Sequence, residues 1–544
     1  LDGNASLHRS PVQGLLSWRG VLLGALFFNL LWLGRGIVDP GFRNLDVAGI
    51  VYNARLLLAG KLPYLDSAEV KPPGAFLLVA PVLALGGLRA LWLLATIWGA
   101  LTSLAAGALA KACYGEVWGK RVVLLHAVGS FVANDADMNY SFWMALPFTL
   151  AAATAAYGCR AANEWRYAAC WISAGALSLL AVAIKPSASP VLLVFAALWL
   201  RELHRGDFLR AAALPIWGVT GALISAILLS APYWMRGRLD VLLDGVQAAR
   251  AFGQEYVGLV VSGAGGYAEA AGIGLQCLPH QVPALLGIAV LGALPTRRTS
   301  SGLRLSFVPW AFALASIIGV TMTLRFFTHD NAQLWPALAV LAFRPGGLLA
   351  RGVSALELCG YPRLVRAAPV LVGMVAALPS FLERFWLHTY FVNNDHQVAG
   401  ICQRFEPILE EQDSVLAWGW QAWSVYEHCG RFAPGPVYKT IGVVTTLNTN
   451  TCNRGYGRMV LREAAVTERF MAQLRARPPG LILWSTYHRD MGGDPLDDFN
   501  ELETFLDQHY TIASAQSQLI AYVRSERLES RPSAHAQLSA PEPP

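Results

Sequence analysis

The residues best suited to chemistry are an acid, Asp46, and a lysine, Lys71, in one polar loop over 39–74, directly after the first long apolar run. A carboxylate where membrane meets water can take a proton from an attacking hydroxyl or amine. An ammonium there can hold a phosphate as a point charge. The pair suits group transfer from a phosphorylated lipid. Asp46 stands in a stretch with helical spacing, Leu45, Ile50, Ala54, Leu57 and Leu58, so it reads as a general base or as the cap of a helix start. Lys71-Pro72-Pro73 is an extended corner, because proline fixes its own φ and restricts the residue before it. Its lysine either meets a lipid phosphate or snorkels beside an interfacial turn. Gly60-Lys61-Leu62-Pro63-Tyr64 makes a turn between the two.

Three further groups stand at the ends of apolar runs. Asp135 and Asp137 share a short loop, Ala133 to Trp143. An ionised group at that depth is costly unless solvated or useful. The pair invites a hard cation, but two acids do not fill a coordination shell, so a divalent metal is not favoured and no cofactor is expected. Lys185-Pro186-Ser187 is a one-turn connection. Arg325, His329 and Asp330, followed by Gln333 and Pro336, can bind an anion or anchor a helix end at the interface. His126 falls inside an apolar run and reads as a satisfied buried histidine.

The elements that must position these residues are membrane helices. Of the 544 residues, 55% are hydrophobic and 14% charged, with mean hydropathy +0.41; a soluble domain carries roughly 25% charged residues. Apolar runs fall near 19–38, 89–110, 120–133, 141–158, 167–184, 188–201, 209–231, 281–295, 306–324, 331–344 and 366–384, which predicts about 11 spans. The run 75–85, interrupted by Pro81, is too short and reads as interfacial or re-entrant. The long loop 232–280, with Tyr233-Trp234, reads as a helix lying on the membrane.

Lysine and arginine fill one set of loops: Lys111, Lys120 and Arg121; Arg160 and Arg166; Arg201, Arg205 and Arg210; Arg297, Arg298 and Arg304; Arg344, Arg351, Arg363 and Arg366. The other set holds Asp46, Asp66, Glu69, Asp135, Asp137, Asp240, Asp244, Glu255 and Asp330. The basic set is expected in the cytoplasm, with the N-terminus. An odd number of spans then puts the C-terminus outside.

After Trp386 the composition turns mixed and polar. Residues 389–525 read as an extracytoplasmic α/β domain, with strands at 414–420, 480–486 and 519–523 and a helix at 502–509. The tail 526–544 reads as disordered. Of Cys402, Cys429 and Cys452, the last two either form a disulfide, as an oxidising compartment allows, or all three are free or buried thiols. Basic stripes with aromatics and zinc spacings are missing, which argues against nucleic acid as a partner. No internal repeat is evident.

Taken together, these motifs resemble the C-type glycosyltransferases, integral membrane enzymes that use polyprenyl-phosphate sugars, and within them the dolichyl-phosphate-mannose-protein mannosyltransferase and aminoarabinose-transferase superfamily. The likeness rests on Asp46, Gly60 to Tyr64, Lys71 to Pro73, the acids after the third span, Lys185-Pro186, the Arg325/His329/Gln333/Pro336 pattern and the outer C-terminal α/β domain. It implies Asp46 as base, Asp137 or Asp135 as a second acid that positions substrate, and Lys71 as ligand of the lipid phosphate. Tyr64, Lys185, Arg325 and His329 join it in binding substrate. In some relatives the second acid falls where Ser141 stands here.

The expected function is inverting transfer of a hexose or pentose from a polyprenyl-phosphate donor to a lipid, glycan or protein acceptor at the outer face of a cell (inner) membrane. The alternative is a lipid-linked sugar transporter or an envelope-glycan assembly factor. A transporter needs polar residues or helix breaks near the midplane, whereas these charges gather at span ends.

Overall fold

The computed structural model describes residues 17–43, 45–134, 138–294, 305–446, 452, 460–486, 499–516 and 518–529. The N-terminal three quarters is helical. Its helices are α1 (Trp18–Leu33), α2 (Arg35–Val38), α3 (Leu45–Leu58), α4 (Gly74–Tyr114), α5 (Glu116–Asn134), α6 (Tyr140–Gly158), α7 (Glu164–Ile184) and α8 (Leu192–His204). There follow α9 (Phe208–Trp234), α10 (Leu239–Ala264), α11 (Tyr267–Gln281), α12 (Pro283–Ala293), α13 (Val308–Thr321), α14 (Asn331–Ala342), α15 (Leu348–Leu358) and α16 (Pro362–Phe405).

Each predicted apolar run coincides with a helix. Among the described residues, α4, α7, α9 and the Pro186–His204 stretch are long and apolar enough to cross a membrane, and the bent pair α11–α12 would make a fifth. The run 75–85 is a helical arm of α4, set off from the rest by non-helical backbone at Gly86 and Gly87. Gly87 takes φ +60°, a left-handed value that glycine tolerates and most residues do not. Loop 232–280 becomes two helices, α10 and α11.

Basic loops meet in separate pairs. Trp18 at the start of α1 donates to Glu116 at 3.0 Å, and Lys111 and Lys120 lie over its ring. Arg210 bonds Glu164 at 2.6 Å. Arg344 donates to the Ala293 carbonyl at 3.0 Å.

The C-terminal part carries a four-stranded sheet of β1 (Val415–Trp418), β2 (Leu481–Ser485), β3 (Tyr510–Gln516) and β4 (Leu519–Arg524), in the order β1-β2-β4-β3. β1 and β2 are parallel; the other pairs are antiparallel. β1 and β2 read as unbroken apolar runs because both faces are covered. Val415, Ala417, Leu481 and Leu483 join the core shared with the membrane helices. Leu416, Trp418, Ile482 and Trp484 pack on Phe470, Phe505 and their neighbours on the other face. β3 was not expected. It is an edge strand in which only Tyr510 is buried, so it lacks an apolar signal. Ser525–Glu529 is helical, with Leu528 buried; residues 530–544 lie outside the described ones.

Neither reading of these cysteines holds, the Cys429–Cys452 bridge or three free thiols. Cys452 bonds Cys277 of α11, 175 residues away, and Cys429 bonds Cys402 near the end of α16, 27 residues away. The first bridge ties the C-terminal part to a helix of the membrane part, a pairing that spacing within the C-terminal part cannot reveal; the second closes within the C-terminal part, on the end of α16.

Candidate active site

The loop after α3 is built around left-handed turns. Gly60 at φ +78° closes α3, and the Lys61 N–H returns to the Leu56 carbonyl at 2.9 Å. Tyr64 is itself left-handed, at φ 71°. Its hydroxyl donates to the Lys71 carbonyl at 2.7 Å. Its ring lies on Gly245 of α10, where a Cβ would come within 2.3 Å of it. Beyond Pro72-Pro73, Gly74 starts α4 so close to the end of α7 that a Cβ would lie 2.7 Å from the Ala183 carbonyl. This approach brings Lys71 near Lys185.

The Lys71 ammonium sits among three rings, with centroids at 5.8 Å (Tyr140), 5.2 Å (Phe252) and 5.9 Å (Tyr256). The Arg325 guanidinium lies 3.7 Å over the Tyr256 ring, within cation–π range. Arg325 is held between Leu324 and Phe326, at φ 56° and 51°. Such values strain bulky residues and persist where the surroundings enforce them; here Gln281 bonds the Phe326 carbonyl at 2.5 Å and the Cys452 N–H the Arg325 carbonyl at 2.7 Å. Asp46 lies in the first turn of α3. Its charge acts on Lys71, Tyr140, Tyr256 and His329. Burial lowers the pKa of Lys71 below the ordinary lysine value, and Asp46 only partly opposes it.

Lys185 is engaged within the protein. It pairs with Asp330 and donates to Ser141 Oγ at 2.6 Å. Ser141 Oγ in turn donates to Asp330 Oδ1 at 3.2 Å, and His329 Nε2 lies 3.7 Å from the same oxygen. An acid therefore does meet Ser141, supplied by the 3₁₀ turn Thr328–Asp330 rather than by the Ser141 position. Burial would raise the pKa of Asp330; Lys185 and His329 pull it below the usual value. Burial also lowers the pKa of His329.

The sequence reading missed Glu69. Its buried carboxylate accepts from the Val70 and Lys71 N–H groups at 2.7 and 3.0 Å and from Asn53 Nδ2 at 2.8 Å. Two donors come from the C-terminal part, Tyr438 OH and Lys439 Nζ, each at 2.5 Å. Burial alone would raise the pKa of Glu69, but Lys439 and these hydrogen bonds bring it below the usual value. Tyr438 also stacks on Tyr52 of α3, at 4.2 Å and 13°. An acid two residues before Lys71 was the only signal for this contact in the sequence.

Asp46, Tyr64, Lys71, Lys185, Arg325 and His329 thus gather in one cluster, joined by Glu69, Tyr140, Tyr256 and Asp330. Asp135 and Asp137 lie outside the described residues. His126 is buried, 2.9 Å from Ser103 Oγ and stacked on Trp335, away from this cluster. Among the described residues no three His, Cys, Asp or Glu side chains gather as metal ligands.

Neither a protein-family profile nor any curated protein matches the chain. Solved structures do. The fold is similar to that of ArnT, an aminoarabinose transferase from Cupriavidus metallidurans, in its complex with undecaprenyl phosphate: TM-score 0.56 at 12% identity, over 96% of this chain and 98% of that one. It is also similar to the apo oligosaccharyltransferase of Archaeoglobus fulgidus: TM-score 0.53 at 11% identity, over 86% of this chain and 69% of that one. At 11–12% identity the likeness is one of fold.

Proposed function

We propose that the chain is a membrane glycosyltransferase that moves a sugar from a polyprenyl phosphate to an acceptor. The observation that carries this reading is the meeting of one acid, Asp46, with two cations, Lys71 and Arg325, around the Tyr256 ring. Asp46 takes a proton from the acceptor hydroxyl or amine. The freed lone pair attacks the anomeric carbon, the bond from that carbon to the phosphate oxygen breaks, and the leaving phosphate keeps the electron pair. Lys71 and Arg325 hold the charge that develops there. Displacement in one step inverts the anomeric centre. Asp330 keeps Lys185 and His329 in place beside the reacting groups.

In this reading about eleven segments cross the membrane, the N-terminus is cytoplasmic, and the Lys71 loop and the C-terminal part lie outside together. Contacts between the two parts support their common side: the Ala68 N–H bonds the Pro436 carbonyl at 2.7 Å, and Arg55 pairs with Glu427 at 2.6 Å. The lipid bound in the ArnT complex is undecaprenyl phosphate, and a polyprenyl phosphate of that kind is the leaving product expected here.

The test compares lipid-linked sugars and envelope glycans by mass spectrometry in cells with and without the protein. Loss of the protein should leave the sugar on its polyprenyl carrier and remove it from one glycan. Unchanged glycans with unchanged carrier pools would refute the proposal.

A further inference from the structure

We propose that Arg43 forms a second oxyanion site, separate from the cluster around Lys71, that binds a phosphoryl group at the membrane surface. Arg43 lies in the loop before α3, and only 4% of it is exposed. Its guanidinium lies over the Trp92 ring at 4.5 Å. Among the described residues none of its three side-chain nitrogens has a hydrogen-bond partner.

The acids nearby are committed elsewhere. Asp395 accepts from the Phe42 N–H and from His428 Nε2, both at 2.9 Å. Asp39 Oδ1 lies 3.1 Å from His396 Nε2. They act on Arg43 through their charge but do not bond it. Nor can Arg43 escape by losing its proton. Burial and the neighbouring Arg35 lower its pKa to about 10, which leaves it charged at neutral pH.

A charged guanidinium buried without acceptors is strongly unfavourable, and such a group calls for a partner from outside the chain. The guanidinium fork matches two oxygens of a phosphate. The charges acting on Arg43 are Arg35, Asp39 and Asp395; none belongs to the Lys71–Arg325 cluster. Trp92 holds the loop, bonding the Gly41 carbonyl at 3.2 Å.

The phosphoryl group can come from a lipid headgroup or from solution, and two arms separate these sources. Purified, delipidated protein in detergent is titrated with phosphatidic acid and followed by native mass spectrometry. In parallel it is titrated with inorganic phosphate against chloride at equal ionic strength and followed by thermal shift. The parent should bind one of the probes, and Arg43→Gln should bind it about ten- to hundredfold more weakly, the scale of a charged hydrogen bond. Lys71→Met should keep this binding, which distinguishes the site from the proposed donor site. Lipid binding that depends on Arg43 assigns a headgroup site; phosphate binding that depends on it assigns a soluble ligand. Where Arg43→Gln does not fold, Arg43→Lys keeps the charge but loses the fork, and should bind more weakly than the parent. Parent-like binding of both probes by whichever variant folds, or no binding by the parent, overturns the proposal.

Discussion

Lys439 of the C-terminal part and Glu69 of the first polar loop form a buried ion pair, with Nζ 2.5 Å from Oε1, and the same Glu69 oxygen accepts the backbone N–H of Lys71. The C-terminal part thus sets the backbone from which the Lys71 side chain springs. A carboxylate that receives five donors has little freedom to move.

Glu69→Gln should destabilise the protein by about 3–5 kcal/mol, because it strands a buried lysine. The double variant Glu69→Gln/Lys439→Met should recover part of that loss, and a double-mutant cycle by thermal unfolding measures the coupling. The pKa of Glu69 is below the usual carboxylate value. Its contribution is therefore complete above the unfolded value and is lost as pH falls through the folded one. The stability gap between parent and Glu69→Gln should accordingly narrow below about pH 4.5.

Asp46→Asn keeps the shape of the side chain and removes its charge. Turnover should fall by roughly 10²–10⁴ while the melting temperature barely changes. Sugar transfer near the parent rate would leave Asp46 as an acid in the first turn of α3, favoured there by the helix dipole.

Lys71→Met should bind the polyprenyl phosphate product about one to two decades more weakly; Lys71→Arg should lose less. The pKa of Lys71 lies below the ordinary value of 10.5, and only the charged form holds a phosphate. Product binding by the parent should therefore weaken as pH rises, beginning below pH 10.5, and Lys71→Arg should remove that decline. Binding that is flat with pH in the parent would place the phosphate on Arg325.

Cys452→Ser removes a bridge that closes a loop of 175 residues and should cost roughly 2–5 kcal/mol in thermal unfolding. Because Cys452 also bonds the Arg325 carbonyl, product affinity should fall with it. An unchanged affinity would uncouple this strap from the site.

Topology is tested by reporter fusions. One placed after Trp386 should read as extracytoplasmic and one after Arg205 as cytoplasmic. A cytoplasmic signal from the first would refute the odd number of crossings and the outer placement of the site.

The helical segments were legible because apolar runs of the right length leave a local trace in composition. The loop motifs were legible for a related reason: Gly60, Pro72 and Pro73 constrain the backbone within a few residues. Contacts between distant residues leave no such trace. Glu69 and Lys439 are 370 positions apart, and Asp330 meets Lys185 across 145. No periodicity encodes either pair. Tyr256 was hidden for another reason, because an aromatic in an amphipathic helix reads as packing until a cation is found over its ring. The cysteines misled because Cys429 and Cys452 share one segment, whereas Cys452 is fastened to Cys277 of α11 and Cys429 to Cys402 at the end of α16.

The Cys277–Cys452 bridge also sets an order of events during biosynthesis. Cys277 leaves the ribosome 175 residues before its partner, and the bond forms only where thiols are oxidised. On the outer placement proposed above, Arg325 gains its Cys452 contact only after the last segment has been exported and folded. A chain stalled in translocation would carry the Lys71 loop and Arg325 but lack the strap that bonds the Arg325 backbone, so an oxidant completes the cluster last.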